Sequence, residues 1–159
     1  MYKCVELSAY ALIITALMIA VMCGVIIYSL KQPAHNLASW ILGAIAVLFF
    51  LPPIFYMPLG ISIDQENLKI KRPMKVKTIP LSEVAEVRLC PPTMGAKRIC
   101  GSGGWFGWYG WFQENDLGKY FAYYGKASDC FLVILKNGKK YMLGCQEAPE
   151  MVEAVKKNI

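Results

Sequence analysis

The sequence contains few of the residues from which catalytic and metal sites are built. His35 is the single histidine among 159 residues, and no Ser or Cys nucleophile has a histidine partner. The six cysteines form no C-x-x-C pair, so zinc-site spacing is absent. We interpret them as reduced thiols that serve as small hydrophobic side chains. The sequence therefore predicts no catalytic residue, no metal site and no cofactor, and the protein is expected not to be an enzyme.

Charge is missing from the front third of the chain. No Asp, Glu, Lys or Arg lies between Glu6 and Lys31, or between Lys31 and Asp64. Each run is long enough to cross a bilayer core of about 30 Å, which takes roughly 20 helical residues. We predict two transmembrane helices, at about 7–30 and 37–56, joined by a short turn into an antiparallel hairpin. A short head precedes them, with Lys3 placed against Glu6, and Pro52-Pro53 should kink or end the second helix early.

Acidic residues are fewer than basic ones, at 11 against 17, and most of both follow residue 60. The turn between the helices has only Lys31, whereas five basic residues follow the second helix closely. By the positive-inside rule, we predict an integral protein of the bacterial cytoplasmic membrane with both chain ends in the cytoplasm. The excess of basic over acidic residues suits binding to an anionic lipid surface, and it is too dispersed to indicate nucleic-acid binding.

Past Gly60 the hydrophobic pattern changes to the period of two that is typical of strands. Leu68–Lys71 and Met74–Thr78 alternate on either side of an Arg72-Pro73 turn. If the two strands pair, their lysines share a solvent face, and Leu68, Ile70, Met74 and Val76 fill the other. The candidate lipid-binding or partner-binding residues are Lys69, Lys71, Arg72, Lys75 and Lys77. The alternative is a solvated strand face that only keeps the sheet soluble.

Residues 90–104 are rich in Pro and Gly and are predicted as a loop. Large aromatic residues set among glycines follow, and the candidate interface aromatics are Trp105, Phe106, Trp108 and Trp111. One interpretation is a glycine-bent strand or loop whose aromatics complete the core. The other is contact with lipid headgroups or a partner, since Trp favours that interface. A nucleotide-binding loop is rejected, because the glycines lack the G-K-[ST] ending.

The remaining residues predict a strand pair and a closing helix. Tyr120–Tyr124 and Cys130–Leu135 have the composition of strands, and Asn137-Gly138 predicts a hairpin turn into Lys140–Leu143. A helix from Pro149 to about residue 157 closes the chain.

Residues 60–159 resemble a bacterial pleckstrin-homology-like (PH-like) domain of the kind found behind short membrane hairpins. The residues that carry the resemblance are Gly60–Asp64 with Leu68–Ile70, Ile79–Val87, Gly101–Gly107 and the final strand-strand-helix. The resemblance implies an antiparallel sandwich or barrel of about seven strands capped by a C-terminal helix. We therefore predict an α+β protein with a hairpin at 1–59 and a PH-like domain at 60–159. In phosphoinositide-binding relatives, basic residues of the first hairpin hold the phosphates.

Two functions follow from this organisation. The first is a non-enzymatic, membrane-anchored binding or scaffold module, whose domain contacts anionic lipid, a protein partner or another copy of itself. The second is a small accessory subunit of a larger membrane complex, with the helical hairpin as the interaction surface; Gly24 and Gly43 are the small residues that favour it.

Overall fold

Two apolar helical segments precede the sheets in the computed structural model, which describes residues 1–32 and 36–159. Helix α1 spans Ala9–Lys31, and Ser8 caps it by accepting a hydrogen bond from the Ala11 amide. The second segment consists of α2, Leu37–Leu48, and α3, Leu51–Tyr56. Both segments are long and apolar enough to cross a membrane. Part of the predicted inter-helix turn, with His35, lies outside the described residues.

The second segment is interrupted where its prolines require it. Pro52 and Pro53 have no amide hydrogen, so the carbonyl groups of Leu48 and Phe49 receive no helical hydrogen bond from them. The chain tightens there, and the Phe50 amide donates to the Val47 carbonyl at 3.0 Å. The predicted early end of the regular helix is confirmed.

The smaller of two sheets has four strands in the order β1-β2-β3-β4. Their bounds are Tyr2–Cys4, Gly60–Ile63, Asn67–Lys71 and Lys77–Pro80. Strand β1 was not predicted. It precedes the helical hairpin in the sequence and pairs with β2, which follows the hairpin. Lys3, in the middle of β1, forms ion pairs with Glu147 and Glu150.

The larger sheet has six strands in the order β5-β9-β10-β8-β7-β6. Their bounds are Val84–Leu89 (β5), Lys97–Gly104 (β6), Gly107–Glu114 (β7), Gly118–Tyr124 (β8), Cys130–Leu135 (β9) and Lys140–Gly144 (β10). One pair departs from the antiparallel expectation, because β10 runs parallel to β8. The loop predicted for residues 90–104 is wrong from Lys97 onward, because β6 pairs with β7 along its length.

A helix and the two sheets enclose the main core. Helix α4, Ala148–Lys157, confirms the predicted closing helix; Pro149 lies in its first turn, and it buries Met151, Val152 and Val155. These side chains pack with apolar residues of both sheets, among them Ile61, Leu68, Ile70, Phe131 and Val133. The fold is thus two apolar helical segments followed by a four-stranded and a six-stranded sheet with a C-terminal helix packed against both.

Candidate membrane-facing site

One end of the domain lies against the helical hairpin. Strand β2 starts four residues after α3 ends, and its first residue, Gly60, pairs with Lys71 of β3. The Ser8 amide, at the start of α1, donates to the Gly125 carbonyl at 2.9 Å. The ends of β2, β3 and β8 therefore meet the helices at the same level, which we call the proximal end of the domain.

The turn between β3 and β4 lies at this proximal end, and we call residues 71–77 the basic turn. The Arg72 guanidinium lies between two aromatic rings, 5.8 Å from the Tyr56 centroid and 5.7 Å from that of Tyr123. Its Nη1 donates to the Tyr123 hydroxyl at 3.3 Å, and its Nε donates to the Lys75 carbonyl at 3.1 Å. Because Tyr56 is the last residue of α3, Arg72 attaches the turn to the end of the second helical segment.

The lysines near the turn have different surroundings. Lys71 Nζ lies 4.4 Å from the centroid of the Tyr2 ring, on the added strand β1. Lys69 pairs with Asp64, and this ammonium lowers the pKa of the Asp64 carboxyl below its usual 3.8. Lys75 is exposed and has no ion pair within residues 1–32 and 36–159. Of these cations, Lys75 is the one most open to a ligand.

The predicted common face of lysines is wrong for Lys77. Strand β4 begins only at Lys77, and the register places Lys77 opposite Ile70 and Thr78 opposite Lys69. Lys77 therefore lies on the face of Ile70, with its Nζ 5.0 Å from the Tyr141 centroid. The prediction that Met74 and Val76 fill the core is also wrong, because both lie in the turn and are exposed, Met74 by 66%.

The hairpin of β6 and β7 ends in a second proximal feature, the aromatic tip, residues 104–107. Gly104, Phe106 and Gly107 have positive φ angles that close this tight turn. Thr15 of α1 satisfies its backbone, because the Thr15 hydroxyl donates to the Gly104 carbonyl at 3.4 Å and accepts from the Phe106 amide at 2.9 Å. Thr15 itself is 7% exposed.

The aromatic tip lies well along both helical segments. Thr15 is about 9 Å from Ala9 along α1, at a rise of about 1.5 Å per residue. The Trp105 ring stacks on Phe49 at 6.2 Å and meets Phe50 edge-on at 5.8 Å. Phe49 is about 10 Å from the end of the second segment by the same rise. The tip thus contacts both helical segments at about the same distance from the helix ends that face the domain.

The four candidate aromatics have separate environments. Trp105 packs on the second helical segment, and Phe106 packs against the main core. Trp108 stacks between Tyr10 of α1, at 6.1 Å, and Tyr124 of β8, at 5.4 Å. Trp111 is 45% exposed and meets Phe121 edge-on. The block therefore contains both core contacts and contacts with the protein's own helices, and the predicted contact with lipid headgroups or a partner stays a prediction.

Sequence reasoning missed the residues that join the domain to the helices. These are Tyr10, Thr15 and Tyr56, each on a helical segment and each in contact with the basic turn or the β6–β7 hairpin. A signal was present for Thr15, because a polar side chain two turns into an apolar run needs a partner. The two tyrosines gave no comparable signal.

The described chain offers little chemistry for catalysis. Burial raises the pKa of Tyr109, Tyr123 and the Cys145 thiol to about 12, so all three stay protonated at neutral pH. Residues 1–32 and 36–159 contain no cluster of three His, Cys, Asp or Glu side chains that could hold a metal ion.

Comparison with known proteins identifies the family. No curated protein and no solved structure matches the chain. A family model described as "Bacterial PH domain" matches residues 59–159, which is more than half of the chain, and such domains are typically non-catalytic modules. With its two sheets, C-terminal helix and preceding apolar helices, the chain belongs to the bacterial PH domain family.

Proposed function

We propose that this protein is a non-catalytic, membrane-anchored binding module. Its two helical segments cross the cytoplasmic membrane and hold the PH domain so that the basic turn contacts anionic lipid headgroups. The observation that carries the proposal is the position of Arg72 between Tyr56 and Tyr123, which keeps the turn beside the end of the second span. Basic residues close to an anionic surface each contribute about 1 kcal/mol of attraction.

The contacts of the aromatic tip support membrane insertion. A backbone amide or carbonyl has no water to bond with inside a bilayer, and each unsatisfied group costs several kcal/mol. The tip lies about 10 Å inside the helical hairpin, and Thr15 provides both a donor and an acceptor for it there. Tyr56, at the end of the second segment nearest the domain, has an amphipathic ring of the kind that favours the level of the headgroups.

The charge distribution supports a cytoplasmic domain. Lys69, Lys71, Arg72, Lys75 and Lys77 follow the second span, and Lys31 alone follows the first. A reporter that is active only outside the cytoplasmic membrane, fused after Ile159, should therefore be inactive. An active reporter would overturn this orientation.

The lipid contact can be tested by hydrogen exchange on the full chain in nanodiscs. Amides of the basic turn should exchange more slowly when one third of the phosphatidylcholine is replaced by phosphatidylglycerol. The protection should fall as salt is added, because headgroup attraction is screened. Lys71→Gln with Lys75→Gln should abolish it.

A matched pair of lysines provides the control. Lys136 and Lys139 flank the β9–β10 turn, at the opposite end of the sheet from Gly144 and the helices. Lys136→Gln with Lys139→Gln removes the same charge and should leave the lipid-dependent protection intact. Equal protection of the turn with and without phosphatidylglycerol would refute headgroup contact and leave a protein partner or a second copy as the ligand.

The accessory-subunit function is the second candidate, and one observation favours it. Gly43 allows the two helical segments to pack closely, because an added side-chain carbon there would lie 3.0 Å from Ser29 Cβ. A side-chain carbon added at Gly24 would have no atom of the described chain within 4 Å. Gly24 can therefore admit another helix closely. Gly24→Leu should reduce the mass of the complex extracted from native membranes, and Ala44→Leu, on the exposed side of α2, should not. An unchanged mass in both would exclude a partner at Gly24.

A further inference from the structure

A cleft of about 660 Å³ lies between the helical hairpin and the β6–β7 hairpin. Its helix wall includes Ile14 and Met18 of α1 and Phe49 of the second segment. Its domain wall includes Trp105 and Trp111. The volume is within the range of ligand sites, and most of these side chains are apolar. Because Thr15, beside Ile14, marks the depth of the aromatic tip, the cleft is at the level of the lipid in a membrane-inserted chain.

A single cation lines this cleft among the described residues. Arg98 projects from β6 along the strand toward the helices, and a side-chain carbon built on Gly103 would lie 3.0 Å from Arg98 Nη1. Gly103 thus leaves the space in which the guanidinium rests. Arg98 forms no ion pair and donates no hydrogen bond to the parts of the chain that the structure describes. Its planar group is suited to bind a phosphate with two parallel hydrogen bonds.

A second polar group at the cleft also has no partner. The indole nitrogen of Trp105 is buried and has no hydrogen-bond acceptor within residues 1–32 and 36–159. Buried donors in folded proteins are almost always satisfied. A ligand acceptor reaches this nitrogen only if the Trp105 ring turns toward the cleft, so Arg98 is the group that can bind a ligand directly.

We propose that the cleft binds one phospholipid molecule from the surrounding bilayer. The acyl chain lies along Ile14, Met18 and Phe49, and the phosphate bonds to Arg98. This site depends on membrane insertion as proposed above, and it is distinct from the basic turn. It recognises the phosphate that all phospholipids share, so a net negative headgroup is not required. The bound lipid would fill the cleft and hold the domain against its own helices.

Photo-crosslinking of the full chain in phosphatidylcholine nanodiscs tests this site. The probe is a phosphatidylcholine with a photoreactive group on its acyl chain, and the matched probe is a diacylglycerol with the same chains and no phosphate. We expect the phosphatidylcholine probe to label peptides at Met18 and Trp111 more strongly than the diacylglycerol probe does. Arg98→Gln should reduce that labelling about tenfold, the size of one charge-assisted hydrogen bond.

The neighbouring residue Lys97 provides the matched control. Lys97→Gln removes the same charge from β6 outside the cleft, and its labelling should equal that of the unaltered chain. Equal labelling of the Arg98→Gln and Lys97→Gln variants, or equal labelling by both probes, would refute the phosphate site. Ile27 and Leu30 report separately on insertion, since both are exposed on α1 far from the domain. Labelling there without labelling in the cleft would refute this inference alone, and no labelling at either place would refute insertion as well.

Discussion

The basic turn and the aromatic tip occupy the same end of the domain but contact the helices through different kinds of interaction. The turn is attached through Arg72 and the rings of Tyr56 and Tyr123, and Lys75 faces outward. The tip contacts both helical segments, with its backbone satisfied by Thr15 and its Trp105 packed on Phe49. One feature depends on charge at a surface, and the other depends on apolar burial and backbone hydrogen bonds. They should therefore respond differently to salt and to mutation.

The comparison also explains which feature positions the domain. Exposed charges contribute little to stability, whereas an unsatisfied buried backbone group costs about 1–3 kcal/mol. The tip is therefore expected to contribute more than the basic turn to the orientation of the domain on its helices. Four substitutions, from the largest expected effect to the smallest, test this division.

The largest effect should come from Gly110→Ala, which breaks the hairpin that carries the tip. Gly110 has φ 122°, and an added side-chain carbon would lie 2.3 Å from the Cys100 carbonyl oxygen. Relief requires that β6 and β7 separate, so we expect the free energy of unfolding to fall by about 4 kcal/mol or more. Gly118→Ala is the control, because its φ is 70° with nothing within 4 Å, and it should cost about 1–2 kcal/mol. Equal losses in chemical unfolding would contradict the clash.

Thr15→Val should separate the tip from α1 without changing the volume of the side chain much. The Phe106 amide and the Gly104 carbonyl would each lose their partner, so we expect a loss of about 2 kcal/mol. The loss should not depend on salt, because no charge is involved. Thr78→Val, on the exposed side of β4, should change stability little. A salt-dependent loss, or none, would contradict the buried hydrogen bonds.

Arg72→Gln should release the turn while leaving the tip in place. It removes a cation from two aromatic rings, and we expect a loss of about 1 kcal/mol in the free energy of unfolding. Hydrogen exchange of the turn should become faster, and exchange at Phe106 should not change. Arg88→Gln is the comparison, since the Arg88 side chain is exposed and its nitrogen is 3.5 Å from Glu86. A similar loss in both variants would mean that the rings contribute nothing.

The smallest effect should come from Asp64→Asn, which removes a surface ion pair with Lys69. The folded chain holds the pKa of Asp64 below 3.8, so the pair stabilises the fold above that value and the stabilisation is lost as pH falls through the lowered pKa. Thermal unfolding should show a slightly lower midpoint for the variant at neutral pH, and the difference should vanish in acid or at high salt. A difference that grows in acid would contradict this sign.

Much of the fold follows from local patterns in the sequence. The apolar runs, the alternation at Leu68–Lys71, the Asn137-Gly138 turn and the closing helix were predicted and are present. Each of these signals is contained in a few neighbouring residues. The PH-like fold was inferred from resemblance and agrees with the family match at residues 59–159.

The errors in prediction come from tertiary pairing that no local pattern contains. Strand β1 has three residues, and its partner β2 lies beyond both helical segments. Strand β6 is rich in glycine, which favours loops, yet Gly101 and Gly110 adopt positive φ angles opposite each other and let the strands approach. The face of Lys77 was mistaken because alternation within each strand does not fix which faces of two strands coincide; the register, with Ile70 opposite Lys77, decides it.

The candidate site was foreseen in its composition but not in its geometry. The basic residues and aromatics were named as candidates from charge and residue type alone. Their assembly depends on Tyr56 and Thr15, which lie in segments that were assigned to the membrane only. The hydrophobic pattern assigns the apolar runs to lipid and the alternating strands to a separate domain. It does not show that residues of the helical segments also contact that domain.

The pairing of β1 with β2 has a consequence for how the protein is made. Tyr2 lies opposite Ser62, so β1, which is synthesised before the helical segments, cannot join its partner until both segments have been synthesised. In a chain that spans the membrane as proposed, the same pairing requires the chain to return to the side from which it started, so the membrane is crossed an even number of times between these strands. The helical hairpin would then be placed first, and the sheet would be closed afterwards, because β1 pairs with β2 only once both segments are in place.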